Sequence, residues 1–154
     1  MEIALVEPEI PQNSGNIARL CAATNSNLHF IGKLGFSISD KYLKRAGLDY
    51  WKFVNFFVWK NFDDFYARFE ARKFYLATSK GNIYYSDIKF TCDDVLVFGC
   101  ETRGLPEHVL NMFEDNCKLK IPFGNVRCLN LANSVSIILY EALRQNGFKF
   151  DKKL

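Results

Sequence analysis

An α/β fold with a mostly parallel sheet flanked by helices is what this sequence predicts, and three observations predict it. Short apolar runs alternate with longer segments of helical period. Several of those runs are continuously apolar, as strands covered on both faces are. The chain is 154 residues long and 49% hydrophobic, which fits a single domain spanning 1–154 with a sizeable core.

The elements follow in order. Residues 3–6 form a first strand. Pro11 breaks the segment after it, and Asn13 is a suitable N-cap for a helix over 14–25. In that helix Ile17, Leu20, Cys21 and Thr24 recur at i, i+3, i+4 and i+7 and make a buried stripe. Asn16 and Arg19 are then neighbours on the opposite side. Residues 28–31 form the second strand, and a helix over 40–47 carries Lys41, Lys44 and Arg45 at helical spacing. Strands at 54–59, 74–78 and 95–98 follow, with a helix over 61–72 between the first two. Pro106 opens a helix over 106–113. A strand at 119–121 leads to a long helix over 130–146, whose apolar face is Leu131, Val135, Ile138, Leu139 and Ala142. Gly147 sits where a helix C-terminal glycine belongs.

Composition excludes several classes. No apolar run approaches the ~18 residues of a membrane span, and the N-terminus lacks the pattern of a signal peptide. Five cysteines (Cys21, Cys92, Cys100, Cys117 and Cys128) lie far apart, without C-x-x-C spacing, and His29 and His108 are isolated. Neither a metal site nor a disulfide framework is suggested; reduced thiols in a cytoplasmic protein are the economical reading. The net charge of +3 is weakly basic. The cluster at Lys41, Lys44 and Arg45 and the one at Lys149, Lys152 and Lys153 suit either phosphate contacts or a solvated face.

Three stretches carry chemistry. In the first, Pro11 to Arg19, a loop rich in amides leads into a helix presenting Asn16 and Arg19; helix N-termini attract anions, and arginine offers a planar fork suited to phosphate. In the second, Leu96 to Pro106, a buried strand runs into a loop bounded by Gly99 and Gly104, which permits close approach of a ligand to backbone, with Glu101 and Arg103 within it. In the third, Lys120 to Ser134, a strand ends, a loop follows, and Asn130 or Asn133 either caps the last helix or serves a site. The second and third loops lie at carboxyl ends of strands, as does 78–81, and that edge of an open parallel sheet is where ligands bind. There is no G-x-G-x-x-G after the first strand and no G-x-x-x-x-G-K-[ST] anywhere, which disfavours a dinucleotide fold and a P-loop nucleotidase.

In this order the three stretches resemble the motifs of the SPOUT methyltransferases. N-x-x-N-x-x-R matches Asn13, Asn16 and Arg19; F-G-x-E-x-x-G matches Phe98 to Gly104. I-P, an S-L-N-like element and V-x-x-x-x-Y-E match Ile121-Pro122, Cys128-Leu129-Asn130 and Val135 to Glu141. The likeness covers nearly the whole chain, including Asp40 to Tyr50, and is greatest to minimal enzymes that methylate the 2'-hydroxyl of cytidine or uridine 34 of tRNA.

The resemblance implies a C-terminal trefoil knot, which pattern reasoning would not propose, and a homodimer with helices 14–25 and 130–146 at its interface. It implies S-adenosylmethionine as methyl donor, held around Ala77, Thr78, Gly99, Glu101, Gly104, Ile121, Cys128, Leu129 and Asn133. The acceptor would be the ribose of the wobble nucleotide of tRNA, in leucine isoacceptors. Arg19 would act as general base or as a phosphate clamp that polarises the hydroxyl, with Asn13, Asn16, Glu101 and Asn130 positioning substrate and donor. Lys41, Lys44 and Arg45 are candidate RNA contacts. One departure is Cys128, where the family usually has serine. The competing readings are a catalytically silent RNA-binding module of the same fold and a methyltransferase acting on a base or on another RNA.

Overall fold

The structure is a computed structural model, and it describes residues 1–38 and 50–150. The expected helix at 40–47, with Lys41, Lys44 and Arg45, lies outside the described residues, as do Lys152 and Lys153. Among the described residues, seven strands form one sheet: β1 (Glu2–Val6), β2 (Asn27–Ile31), β3 (Asn55–Trp59), β4 (Phe74–Ala77), β5 (Ile83–Tyr84), β6 (Val95–Phe98) and β7 (Lys118–Lys120). Their order is β3-β2-β1-β6-β4-β7-β5, and each pairing between them is parallel.

Four helices cover the sheet among the described residues: α1 (Pro11–Thr24), α2 (Phe62–Phe69), α3 (Glu107–Asn111) and α4 (Leu131–Gln145). Strand alternation explains the two layers, because successive side chains point to opposite faces. Ile3, Leu5, Leu28, Phe30, Leu96 and Phe98 face one way and pack with Ile17 and Cys21 of α1 and with Val135, Ile138 and Leu139 of α4. Ala4, Val6, Ile31, Val95 and Val97 face the other way and meet Phe62 and Phe65 of α2 and Val109 of α3. Each such fully buried large side chain contributes roughly 1.5–3 kcal/mol of transfer free energy.

The boundaries refine the sequence reading. Helix α1 starts at Pro11, not at 14, and Ile10 occupies the N-cap without a side-chain bond. Pro11 therefore opens the helix, where its missing N–H costs nothing, and Asn13 is released from capping. Helices α2 and α3 are shorter than the expected 61–72 and 106–113, and Asn61 caps α2 by accepting the Asp64 N–H at 2.8 Å. Gly147 does adopt positive φ (+68°) behind α4. Strand β5, of two residues, was not expected.

Strands β4 and β5 are consecutive in the chain, yet β7 lies between them in the sheet. The 78–82 connection must therefore pass over the end of β7. Thr78 donates its N–H to the Leu119 carbonyl at 2.8 Å, and a Cβ on Gly81 would stand 2.7 Å from the Leu119 backbone. Only glycine allows that approach.

Candidate active site

Strands β6, β4 and β7 are neighbours in the sheet, so their carboxyl ends open side by side. Phe98, Ala77 and Leu119 are in register across them, and all three line a pocket of about 510 Å³. The three loops that leave these strands build its walls, as expected for ligand sites of open parallel sheets. Thr78, Ser79 and Lys80 come from the first loop, residues 99–105 from the second, and Ile121, Phe123, Arg127, Cys128 and Leu129 from the third.

The second loop is a tight return. Cys100 and Gly104 exchange backbone hydrogen bonds of 3.2 and 3.0 Å, with Gly104 at φ +71°. A Cβ on Gly99 would lie 2.0 Å from the Gly104 carbonyl carbon. The return therefore closes backbone on backbone, and a side chain at 99 would force it open.

Glu101 stands at the top of the loop and is tied to α1. Its carboxylate accepts the Glu9 N–H at 2.8 Å, the Ile10 N–H at 3.2 Å and the Asn13 side-chain amide at 2.9 Å. A carboxylate from across the sheet therefore meets the positive end of the helix, which lacks a side-chain cap of its own. Asn13 in turn accepts from the Asn130 amide at 2.9 Å, and Asn130 Oδ1 accepts the Ala132 N–H at 2.9 Å at the start of α4. Asn130 is both the α4 cap and a member of the site; the two readings of it are compatible. The order of donors fixes each amide, since the Asn130 oxygen must face the backbone N–H and its nitrogen must then face Asn13.

Beside this chain, Glu9 accepts from the Thr102 hydroxyl at 2.7 Å and lies 3.6 Å from Arg103. The Thr102 bond first, and then the Arg103 charge, hold the Glu9 carboxyl below its ordinary range.

The pocket brings together Asn13, Ala77, Thr78, Gly99, Glu101, Gly104, Ile121, Cys128, Leu129 and Asn130 from the sequence-predicted set. It does not include Asn16, Arg19 or Asn133, which are exposed elsewhere. Arg19 is six residues beyond Asn13, about 9 Å along the helix and turned about 120° away. Its guanidinium lies 5.3 Å from the Tyr50 ring centroid. Sequence reasoning missed Ile10, Lys80, Phe123, Arg127 and Ser134 as pocket residues. Four of these stand in or beside the loops already singled out; their polarity or size at a strand's carboxyl edge was the available signal. His29 is buried against Glu2 in the middle of β2, and His108 is exposed on α3. Among the described residues no three His, Cys, Asp or Glu side chains gather as a metal site, and no helix is long and apolar enough to cross a membrane.

Comparison with known proteins agrees with this geometry. A tRNA (cytidine(34)-2'-O)-methyltransferase of Methylovorus glucosotrophus is 47% identical over 148 residues, covering 96% of each chain. A solved structure described as giving insights into the 2-OH methylation of C/U34 on tRNA superposes with a TM-score of 0.89 at 43% identity, covering 95% of both chains. An AdoMet-bound rRNA methyltransferase from Sinorhizobium meliloti has a TM-score of 0.81 at 25% identity, over 93% of this chain and 55% of that one. Residues 1–140 match the SpoU rRNA Methylase family, and the chain belongs to that family.

Proposed function

We propose that this protein transfers a methyl group from S-adenosylmethionine to the ribose 2'-hydroxyl of nucleotide 34 of tRNA, a cytidine or modified uridine, in leucine isoacceptors. The observation that carries the reading is the pocket at the ends of β6, β4 and β7, built by the loops that hold the methyltransferase-like motifs. The activity named for relatives matched over 95–96% of their length supports the position and the acceptor atom.

The residues present fit the donor. The pocket is of the size that takes a cofactor-scale ligand, and the Gly99–Gly104 return, packed backbone on backbone, is part of its lining. When bound, S-adenosylmethionine supplies an electrophilic methyl group. Ala77, Thr78, Gly99, Gly104, Ile121, Cys128 and Leu129 would hold it. The protein contributes alignment, which is worth several kcal/mol or more where the reacting atoms are held in line.

Glu101 already receives three N–H donors. Its role is to lock the pocket loop onto α1, and Asn13 and Asn130 extend that lock to α4. Arg19 is assigned as a clamp on a phosphate next to the target ribose, polarising the hydroxyl. A guanidinium stays protonated, which suits that role better than proton abstraction. Asn16, its neighbour on the exposed side of α1, and the cations Lys41, Lys44 and Arg45 would add RNA contacts.

Arg19 stands off the pocket of its own chain, and this supports a homodimer in which α1 of one copy serves the pocket of the other. Tyr140, 45% exposed on α4, would join α1 at that interface. We further propose that the crossing of 78–82 over β7 is part of a trefoil knot, and that the enzyme works in the cytoplasm as one domain.

The test is incubation with labelled S-adenosylmethionine and tRNA lacking ribose methylation, followed by mapping of the label. Label on the ribose of nucleotide 34 is expected. Label in a base, in ribosomal RNA only, or nowhere would overturn the reading, the last outcome favouring a silent RNA-binding module.

A further inference from the structure

We propose that Tyr50 is the positioning residue for Arg19, clamping its guanidinium in the orientation that the reaction uses. The inference rests on the reading of Arg19 as an acting residue and goes beyond it by naming what holds that side chain.

The geometry joins two contacts made by one side chain to one turn of α1. The Arg19 guanidinium carbon lies 5.3 Å from the Tyr50 ring centroid, within the range of a cation–π contact. The Tyr50 hydroxyl donates to the Gly15 carbonyl at 3.2 Å. Gly15 is the residue four before Arg19, so its carbonyl is the helical acceptor for the Arg19 N–H as well. Tyr50 therefore takes its bearing from the same turn that carries Arg19, and the ring is set relative to the side chain it covers.

This matters because Arg19 is exposed. A free arginine on a helix surface samples many rotamers, and ordering it on a substrate costs side-chain entropy. A ring held within cation–π distance of the guanidinium restricts that freedom beforehand. The backbone at Tyr50 is itself held: it precedes the helical turn Trp51–Phe53 and accepts the Phe53 N–H at 2.8 Å. Trp51 and Tyr50 both pack against the core that α1 shares with the sheet. The Tyr50 ring is thus held on the side of the protein.

The experiment compares Tyr50→Phe, Tyr50→Leu and Tyr50→Met in the full chain, each in the wild-type and in the Arg19→Lys background. The readings are the methylation rate at saturating tRNA and donor, the affinity for S-adenosylhomocysteine, and Tm. Tyr50→Leu and Tyr50→Met are expected to lower the saturated rate roughly 3- to 30-fold, the span of a partly desolvated cation–π contact. Affinity for S-adenosylhomocysteine should not change, and Tyr50→Phe should give an intermediate rate, because it keeps the ring but loses the hydroxyl bond to Gly15. In the Arg19→Lys background the same substitutions should cost less, since the planar guanidinium that the ring orients has been replaced by a compact ammonium. An equal loss in both backgrounds, or a parallel fall in S-adenosylhomocysteine affinity, would mean that Tyr50 acts independently of Arg19 and would overturn the inference. An inactive Arg19→Ala beside fully active Tyr50→Leu would overturn it alone, whereas a fully active Arg19→Ala would remove the reading of Arg19 as well.

Discussion

The Asn13 side-chain amide donates to Glu101 at 2.9 Å, bonding the first turn of α1 to the loop after β6 across 88 residues of sequence. With Asn130 on its other side, Asn13 completes a one-directional line of donors from the start of α4 to a carboxylate at the start of α1. Replacing the amide by a carboxyl, Asn13→Asp, puts a second acid against Glu101 and removes the donor. Like charges at that distance repel unless one is protonated. Turnover at pH 8 should fall at least about tenfold, with partial recovery toward pH 6 as the pair takes up a proton. Steady-state methylation across that range checks this; a flat profile would count against the line of donors.

Gly99→Ala probes the backbone wall. The added methyl would sit 2.0 Å from the Gly104 carbonyl carbon and 2.1 Å from the Leu105 nitrogen, so the 100–104 return must open. Affinity for S-adenosylhomocysteine should drop by two orders of magnitude or more, or the chain should lose several degrees of Tm, because overpacking of this kind costs about 1–3 kcal/mol or more. Gly124→Ala is the control, since nothing lies within 4 Å of a Cβ there.

The cysteines offer a chemical footprint. Cys128 is exposed and lines the pocket. Cys21 is fully buried, which pushes its thiol up to about 12 and keeps it inert. Maleimide labelling followed by peptide mapping should modify Cys128 in the free protein and spare it when S-adenosylhomocysteine is present. Exposed Cys92, which is outside the pocket, should label equally in both states. Cys128→Ser, restoring the family's usual hydroxyl, should leave donor binding intact.

Acid stability should depend on Glu2. Burial alone would raise this carboxyl, but hydrogen bonds from His29 at 2.7 Å and Asn27 at 3.1 Å outweigh it and hold the group at about 2, against an ordinary 4.5. Arg72 adds a bond at 2.8 Å. Because Trp59 donates to His29 Nδ1 at 3.0 Å, the His29 proton must sit on Nε2, facing Glu2. A depressed folded value means the stabilisation is complete above pH 4.5 and is lost as pH falls toward 2, about 3 kcal/mol in all. Thermal unfolding from pH 7 to 3 should show that loss, and Glu2→Gln should make the slope shallower.

Most strands were legible in the sequence to within a residue or two, because continuous runs such as Val95–Phe98 have one physical explanation in a parallel sheet. Strand β5 was not, since Ile83 and Tyr84 are too few to show a period. The start of α1 was misplaced for a local reason: Asn13 is as good a cap as any, and only Glu101, 88 residues away, reveals that its amide is used otherwise. The pocket loops could be chosen from their place after strands, whereas the 2.0 Å contact forcing glycine at 99 belongs to tertiary structure. The same holds for the passage of 78–82 over β7, which no periodicity encodes. Arg19 was recognisable by its spacing from Asn16, but its distance from the pocket and its stacking on Tyr50 were not.

Isothermal titration of the protein with S-adenosylhomocysteine tests the donor pocket most directly. One site per chain is expected, weakened strongly by Gly99→Ala and not by Arg19→Ala, whose side chain lies off the pocket wall. No measurable binding, or binding that Gly99→Ala leaves unchanged while Arg19→Ala abolishes it, would contradict the assignment of the donor to the ends of β6, β4 and β7.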